Sequence, residues 1–370
     1  MSENNLTKPR TTDCFDIALI DGPRVKVVVD DNVLEVRLDD ASSLRLLLGA
    51  TGGTTRSAMI IALNTADAVG LRLAILGALN FLFATDATVD TLKLDFSDYQ
   101  QALPSLLRSG IAVVDLNGQV LFKRDAFVQQ PDLWLQGESS AAYPLAYMIS
   151  NGKRHPRRPP NNRKTVYRRF IPWLNQWLTL RTLDLDNDLD SFHRWMNNPR
   201  VAKFWEEDGS IEKHSTFVIS ALADPHVHPL IGCLDDKPFG YFEVYWAKED
   251  RIAPFYNTAD YDRGIHMLVG EEWARGPHYI AAWLNSLVHY VMLDDPRTQA
   301  IVCEPRADNV RMIDYLRQTG FAFHREFDFP HKRAALLILE REVFSQGSWI
   351  TGGLGVDKSK ALVEANNSSR

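Results

Sequence analysis

A histidine and a candidate anion-binding turn stand close together in the segment DYDRGIHMLVGEEWARGPHY, residues 260–279. His266 lies in a strand-like run, and its imidazole can accept or donate a proton near neutral pH. Arg275, Gly276 and Pro277 directly precede an apolar helical pattern, and the free N–H groups at the start of a helix bind phosphate and other anions. The alternation of the strand by itself favours a structural histidine that is hydrogen-bonded to a carbonyl group. We therefore predict a strand, an anion-binding turn and a helix, with His266 either structural or catalytic.

The elements that would position this segment are predicted twice along the chain. Each half of the sequence has the pattern of an apolar helix, a buried strand, a second helix that ends at a glycine, and a pair of strands. Gly110 and Gly320 follow the second helix of each half, where a left-handed residue commonly ends a helix. The first set is LRLAILGALNFLFA, TLKLDFS, YQQALPSLLRSG and IAVVDLNGQVLFKRDAF, and the second is AAWLNSLVHYVML, QAIVCE, DNVRMIDYLRQTG, FAFHREFDF and AALLILERE. We predict two related lobes of the α/β class, each with a mixed sheet.

The first lobe lacks the chemical features of the second. Its matching helix starts at ADAVGLRL, with one glycine and with the arginine inside the helix rather than before it. Its glycine-rich stretch, residues 49–57, lacks the lysine of a phosphate-binding P-loop. The first lobe is therefore predicted to be degenerate.

We predict four segments along the chain. They are a degenerate lobe over residues 1–150, a basic, proline-rich linker over 151–170, a catalytic domain over 171–348 and a flexible tail over 349–370. The run NGKRHPRRPPNNRK at the start of the linker is typical of a solvated hinge, and its basic side chains could instead bind phosphate.

Composition and charge limit the classes of partner. The 370 residues carry a formal net charge of −6, which gives no general basic surface for nucleic acid, so small molecules are the expected partners. Cys14, Cys233 and Cys303 show no C-x-x-C spacing, so neither a disulfide framework nor a zinc cluster is indicated. The first residues, MSENNLTKPRTTD, are polar. We predict a soluble, cytoplasmic protein that binds no membrane and no nucleic acid.

Residues 181–344 resemble the GNAT superfamily of acyl-CoA-dependent N-acyltransferases, and within it the acyltransferases of hydroxamate siderophore biosynthesis. The matching stretches, in the same order, are FHRWMNNPRVAKFW, PFGYFEVYWAKEDRIAPFY, YDRGIHMLVGEEWARGPHYIAAWLNSLVHYVMLDDPRT, EPRADNVRMIDYLRQTGF and EFDFPHKRAALLILER. The resemblance implies a GNAT fold with two tandem lobes, of which the first is not catalytic. It also implies acyl-CoA as co-substrate, no permanently bound cofactor, and a monomer or homodimer.

The resemblance implies that the acyl-CoA lies between two splayed parallel strands, residues 265–269 and 301–304. The pyrophosphate loop of the family falls on residues 272–279, where a proline and a histidine replace its second glycine. Proline at the first helical position loses no needed N–H group, so the turn can still present later amides to phosphate. The implied cofactor-binding residues are Met267, Leu268, Val269, Arg275, Gly276, Pro277, His278, Tyr279, Asn309 and Tyr315.

The helix after the second splayed strand departs from the family pattern at one position and matches it at another. Many GNAT enzymes place there a tyrosine that can protonate the leaving thiolate, four residues before the closing glycine. Leu316 holds that position here and Tyr315 stands one residue earlier, which turns the side chain by about 100° around the helix. Asn309 matches a residue near the pantetheine arm and is equally explained as a helix N-cap.

The resemblance assigns the catalytic pair to His266 and Glu304. A base that takes the proton from the attacking nitrogen prevents reversal of the tetrahedral intermediate. The acid is commonly aspartate in the family, and Glu304 could either orient the imidazole or hold a second positive group of the substrate. The candidate substrate-binding residues are Trp205, Trp246, His331 and Lys332. The two tryptophans could instead be core residues, and the PHKR segment, residues 330–333, could meet a substrate carboxylate or a CoA phosphate, or form a charged turn.

We therefore predict an acyltransferase that converts an N-hydroxylated amine to a hydroxamate, the iron-binding group of a siderophore. Acetyl-CoA is the expected donor, and the acceptor could be N-hydroxylysine, N-hydroxyornithine, N-hydroxycadaverine or N-hydroxyputrescine. The protein itself is expected to bind no metal, since only the product would bind iron. The alternatives are a GNAT enzyme acting on ordinary amines, of the lysine or aminoglycoside type, and a non-catalytic acyl-CoA-binding module.

Overall fold

A computed structural model of the protein describes residues 14–19, 22–65, 67–136, 143–161 and 164–352. The described residues form two compact units, which divide between Leu133 and Trp134. The boundary falls earlier than the predicted end of the first lobe at residue 150. Residues 134–136 and 143–150 therefore belong to the second unit.

The first unit is an eight-stranded mixed sheet with one long helix packed on it. In sheet order the strands are β1 (Cys14–Ala18), β2 (Arg24–Asp30), β3 (Val33–Leu38), β4 (Ala41–Gly52), β5 (Thr55–Leu63), β6 (Thr91–Asp95), β8 (Val120–Lys123) and β7 (Val113–Val114), and the helices are α1 (Ala68–Thr85), α2 (Leu103–Arg108) and α3 (Arg124–Phe127). Val25 and Val27 of β2 are fully buried on the face that α1 covers. Gly77 lets α1 approach closely, because a Cβ there would lie 2.7 Å from Val25 Cγ1.

Helix α1 has the length and composition of a membrane-spanning helix. Most of the residues from Leu71 to Phe83 are buried inside the first unit, where they pack on β2, β3 and β4. Such burial is typical of the core helix of a folded domain, and it explains the high mean hydropathy of this helix.

The second unit contains an eight-stranded sheet and a separate two-stranded hairpin. The hairpin is β9 (Tyr147–Ser150) and β10 (Lys153–Pro156); the sheet, in order, is β11 (Thr165–Ile171), β12 (Gln176–Thr182), β13 (Val227–Leu234), β14 (Lys237–Trp246), β15 (Arg263–Val269), β16 (Ala300–Cys303), β18 (Arg333–Glu340) and β17 (Ala322–Asp328). The helices are α4 (Leu185–Met196), α5 (Pro199–Trp205), α6 (Ile211–Ala223), α7 (Pro277–Asp294), α8 (Val310–Gln318) and α9 (Arg341–Gln346). The order of strands in this sheet is the same as in the first unit, which confirms the prediction of two related α/β lobes.

The two units differ in how far their central parallel strands pair. In the first unit β5 and β6 pair over five residues each, 55–59 with 91–95. In the second unit β15 and β16 pair only at Arg263 with Ile301 and at Gly264 with Val302. The strands of the second unit therefore separate where those of the first unit remain joined.

Helix α7 begins at the predicted Gly-Pro turn. Gly276 is the N-cap, with a φ of 112° that strongly favours glycine, and Pro277 is the first helical residue. Almost every residue of the helix from Ile280 onward is buried. α7 is thus the core helix of the second unit and fixes the position of the turn that precedes it.

The prediction of a solvated linker over residues 151–170 is wrong. Lys153–Pro156 and Thr165–Ile171 are strands of the second unit, so this segment does not separate the two units. The side chain of Arg158 is buried and makes two hydrogen bonds of 2.6 Å to the carboxylate of Glu249. A basic run stays solvated unless its charges find partners, and here the partner comes from a distant part of the chain.

The predicted C-terminal tail is only partly described. A short 3-10 helix, Trp349–Thr351, forms its start, and Trp349 and Ile350 are buried. These residues belong to the packed unit rather than to a flexible tail. Residues 353–370 lie outside the described residues.

Candidate active site

The separation of β15 and β16 begins at a glycine. Gly264 lies opposite Tyr245 of β14, and a Cβ at residue 264 would come within 1.9 Å of the Tyr245 ring, so only glycine fits. His266 follows two residues later on β15, and Glu304 directly follows β16. Both side chains therefore stand where the two strands part.

His266 is held between two carboxylates. Its Nδ1 atom lies 2.7 Å from Glu243 Oε2 and its Nε2 atom lies 2.6 Å from Glu304 Oε1. The hydroxyl of Tyr241 donates to Glu243 Oε1 at 2.9 Å, and that of Tyr245 donates to Glu304 Oε2 at 2.7 Å. We call Glu243, His266 and Glu304 the acid-imidazole cluster. Hydrogen bonds occupy all four of its carboxylate oxygens, and the two tyrosines fix its outer ends.

The cluster is charged. Burial alone would lower the pKa of His266, but the charge of Glu304 and the hydrogen bonds that the imidazolium donates to both carboxylates outweigh it and raise this pKa to about 10. Burial would raise the pKa of Glu304, but the charge and hydrogen bond of His266 lower it to about 2. Burial would also raise the pKa of Glu243, but the hydrogen bond and charge of His266, together with the hydrogen bond from Tyr241, lower it. At neutral pH the cluster is an imidazolium between two carboxylates, with a net charge of −1.

The protonation of His266 is directly measurable. In the unliganded protein, ring resonances of labelled histidine should titrate for His266 with a midpoint near 10, and the Glu304→Gln variant should lower that midpoint because one carboxylate charge is lost. Since the pKa is raised in the folded state, its stabilising contribution is fully present below pH 6.5 and is lost as the pH rises toward 10. A midpoint near 6.5 in the unaltered protein would exclude the charged cluster.

Two cavities meet beside the cluster. The histidine cavity has a volume of about 580 Å³ and contains His266, Glu243 and Glu304 in its wall. The loop cavity, about 430 Å³, follows β15 along residues 267–269 to the turn at Arg275 and Gly276. Residues that line both cavities are Phe204, Trp205, Met267, Asn309 and Met312. The two cavities therefore lie side by side and give two ligands access to one point.

Most of the predicted site residues line one of these cavities. Those in the histidine cavity are His266, Glu304, Trp205, Met267, Asn309, His331 and Lys332, and those in the loop cavity are Trp205, Met267, Leu268, Val269, Arg275, Gly276, Asn309 and Tyr315. Asn309 is also the N-cap of α8, where its side chain accepts a hydrogen bond from the Met312 amide at 3.4 Å. Both interpretations of Asn309 therefore agree with its position.

Three predicted cofactor residues, Pro277, His278 and Tyr279, form the first turn of α7 and are not among the lining residues of either cavity. Tyr315 does line the loop cavity, whereas Leu316 is fully buried. The hydroxyl-bearing side chain thus reaches the cavity from the position one residue earlier than in many GNAT enzymes.

Trp246 is the one predicted substrate residue whose position contradicts the prediction. It is buried between two guanidinium groups, those of Arg263 at 3.8 Å and Arg158 at 4.2 Å from its ring centroid. Side chains alternate along a strand, so Trp246 lies on the opposite face of β14 from Glu243 and Tyr245. It is a core residue of the second unit.

Comparison with known proteins agrees with this architecture. Residues 184–329 match the family described as acetyltransferase (GNAT) domain. A Schizosaccharomyces pombe protein with the provisional name lysine N-acyltransferase is 45% identical over 231 residues, which are 62% of this chain and 69% of that protein. The N(6)-hydroxylysine O-acetyltransferase of Escherichia coli is 39% identical over 270 residues, 72% of this chain and 83% of that one. The hydroxyornithine transacylase of Ajellomyces capsulatus is 40% identical over 214 residues, 55% and 49% of the two chains.

The separated parallel strands, the turn before α7 and the matched region together define an acyltransferase of the GNAT type. This chain belongs to the GNAT family of acyl-CoA-dependent acyltransferases, in the group that contains the hydroxylysine and hydroxyornithine acyltransferases. The predicted fold class, enzyme class and family group are thereby confirmed.

Proposed function

We propose that this protein transfers an acyl group from acyl-CoA to the hydroxylated nitrogen of an N-hydroxy amino acid and so forms a hydroxamate for siderophore biosynthesis. A nitrogen–carbon bond forms, the thioester carbon–sulfur bond breaks, the nitrogen loses a proton, and CoA leaves as its thiol. The observation that carries the proposal is the acid-imidazole cluster at the junction of two cavities.

The loop cavity suits the donor. It runs along β15 and α8 to Arg275 and Gly276, where the start of α7 offers backbone N–H groups and the positive end of a helix dipole to the pyrophosphate. Acetyl-CoA is the proposed donor. The pantetheine arm would then bring the thioester to the junction beside His266.

The histidine cavity suits the acceptor. A hydroxylamine is less basic than an alkylamine and is largely uncharged near neutral pH, so its nitrogen is ready to attack. In the tetrahedral intermediate that nitrogen becomes positive, the neutral form of His266 accepts its proton, and the two carboxylates stabilise the imidazolium that forms. Because His266 is strongly coupled to both carboxylates, the pKa that governs this step belongs to the cluster as a whole.

Glu304 is best explained as the residue that orients the imidazole. Its side chain is wholly buried, one oxygen binds His266 and the other binds Tyr245. Both oxygens already accept a hydrogen bond, and the side chain is not exposed to a distant ammonium group of the substrate. By contrast, 23% of the His266 side chain is exposed, so His266 is the member of the pair that faces the cavity.

A free-thiol assay of CoA release tests the proposal. Acetyl-CoA and succinyl-CoA are each paired with N6-hydroxylysine, N5-hydroxyornithine, N-hydroxycadaverine and lysine, and the product is treated with ferric ion. We expect turnover of the hydroxylated acceptors and a coloured ferric hydroxamate, which an O-acylated product would not give. Equal turnover of lysine would instead favour an ordinary amine acyltransferase. Binding of acyl-CoA without turnover of any acceptor would favour a non-catalytic module.

A further inference from the structure

Three basic side chains that line the histidine cavity gather on one ring. Arg251 and Lys332 stand over the ring of Phe329 at 5.3 and 5.6 Å, and the His331 ring stacks on it with centroids 5.5 Å apart. We call Arg251, His331 and Lys332 the Phe329 basic group.

Arg251 differs from Arg306 and Arg200. Arg306, which also lines the cavity, pairs with Glu206 and Asp308, and Arg200 of the loop cavity pairs with Glu272. In the described part of the chain no carboxylate lies within ion-pair distance of Arg251. Its guanidinium is exposed at the cavity and has its donors available for a ligand.

The positive charges of Arg251 and Lys332 repel each other. Burial lowers the pKa of Lys332, and the nearby Arg251 lowers it further, although Glu304 acts in the opposite direction. Burial, Arg251 and Lys332 also lower the pKa of His331. The Lys332 ammonium donates to the backbone carbonyl of Glu304 at 2.7 Å, so it stays in place beside the cluster. An anion bound here would relieve the mutual repulsion of these groups.

We propose that Arg251, supported by Lys332, binds the α-carboxylate of the acceptor and thereby selects an N-hydroxy amino acid over an N-hydroxy diamine. This inference rests on the proposed function. A planar guanidinium binds a carboxylate through two parallel hydrogen bonds, which also fixes the direction of the substrate chain. A diamine lacks this group, so it gains no ion pair with Arg251.

N6-hydroxylysine and N-hydroxycadaverine form a matched pair for the test, because they carry the same hydroxylamine on chains that differ only in the carboxylate. Steady-state CoA release is measured for both with the unaltered protein and with Arg251→Ala and Arg251→Lys. We expect Arg251→Ala to raise the KM for N6-hydroxylysine by roughly 10- to 100-fold with little change in kcat, because hydrogen bonds between charged groups are lost. Arg251→Lys should be intermediate, and the KM for N-hydroxycadaverine should not rise.

Arg317→Ala is the matched control, since Arg317 is an exposed arginine of α8 that lines neither cavity. It should leave both KM values unchanged. An equal kcat/KM for the two acceptors in the unaltered protein would overturn the inference while the proposed function stands. A rise of both KM values together in Arg251→Ala would also overturn it, because it would indicate a structural effect. If the unaltered protein used neither of these acceptors nor N5-hydroxyornithine, the proposed function itself would fail.

Discussion

Replacement of His266 by alanine is expected to lower kcat by about 10²- to 10⁴-fold, the usual contribution of a positioned proton-transfer group. Affinity for acyl-CoA should change little, because the loop cavity and the turn at Gly276 are untouched. Single-turnover rates with the best acceptor and equilibrium binding of CoA measure the two effects separately.

Stability must be followed in the same variant. Without the imidazolium, Glu243 and Glu304 face each other as buried carboxylates, and breaking a buried ion pair in this way costs about 3–5 kcal/mol. The double variant with Glu243→Gln removes one of these charges and should regain part of the free energy of unfolding while it stays inactive. Full activity of His266→Ala would exclude His266 from the reaction.

Glu304→Gln is expected to lower kcat by about 10²-fold, because glutamine keeps the shape of the side chain but removes the charge that stabilises the imidazolium. Glu243→Gln is the matched comparison on the other ring nitrogen. If the three groups act as one unit, the two glutamine variants should each lose activity and their combination should fall short of the product of the single effects.

The comparison of the double variant with the two single variants tests the coupling of Glu243 and Glu304 more directly than either single variant does. Rates for the two single variants and the double variant, each at saturating acyl-CoA, form a double-mutant cycle. An unaffected Glu243→Gln would show that Glu304 alone acts through His266. Independent, multiplicative losses would show that the two carboxylates do separate jobs.

Local sequence patterns predicted much of the fold. Helix α7, the glycine at its start and the repeated order of elements all come from features close together in the chain. Gly110 and Gly320 both have positive φ angles, as their places after helices indicated. Such features depend on residues that are close together in the chain, so they can be predicted from a single sequence.

Features that depend on distant partners were missed. Glu243 was not predicted, although YFEVY, residues 241–245, places Tyr241, Glu243 and Tyr245 on one strand face. Its role requires the register that sets Glu243 opposite His266, which no local pattern gives. Alternation along the same strand places Trp246 on the opposite face, so the sequence pattern itself argues against Trp246 as a substrate-binding residue.

The misassigned linker has the same physical origin. Arg158 is buried because Glu249, far along the chain, neutralises it, and composition alone cannot reveal such a partner. Arg251 was overlooked for a related reason. An exposed arginine in a charged stretch of sequence does not indicate a binding site. What distinguishes Arg251 is that it contacts the ring of Phe329 together with Lys332.

The different pairing of the parallel strands in the two units has a consequence for how repeated domains diverge. Both sheets have the same strand order, yet β5 and β6 run together for five residues where β15 and β16 share two positions. A repeated domain can therefore lose the space between its parallel strands when one ladder of backbone hydrogen bonds becomes longer, while the order of its strands stays the same. In such a pair of repeats, the length of the strand ladder, rather than the fold, indicates which copy has space for a ligand between its parallel strands.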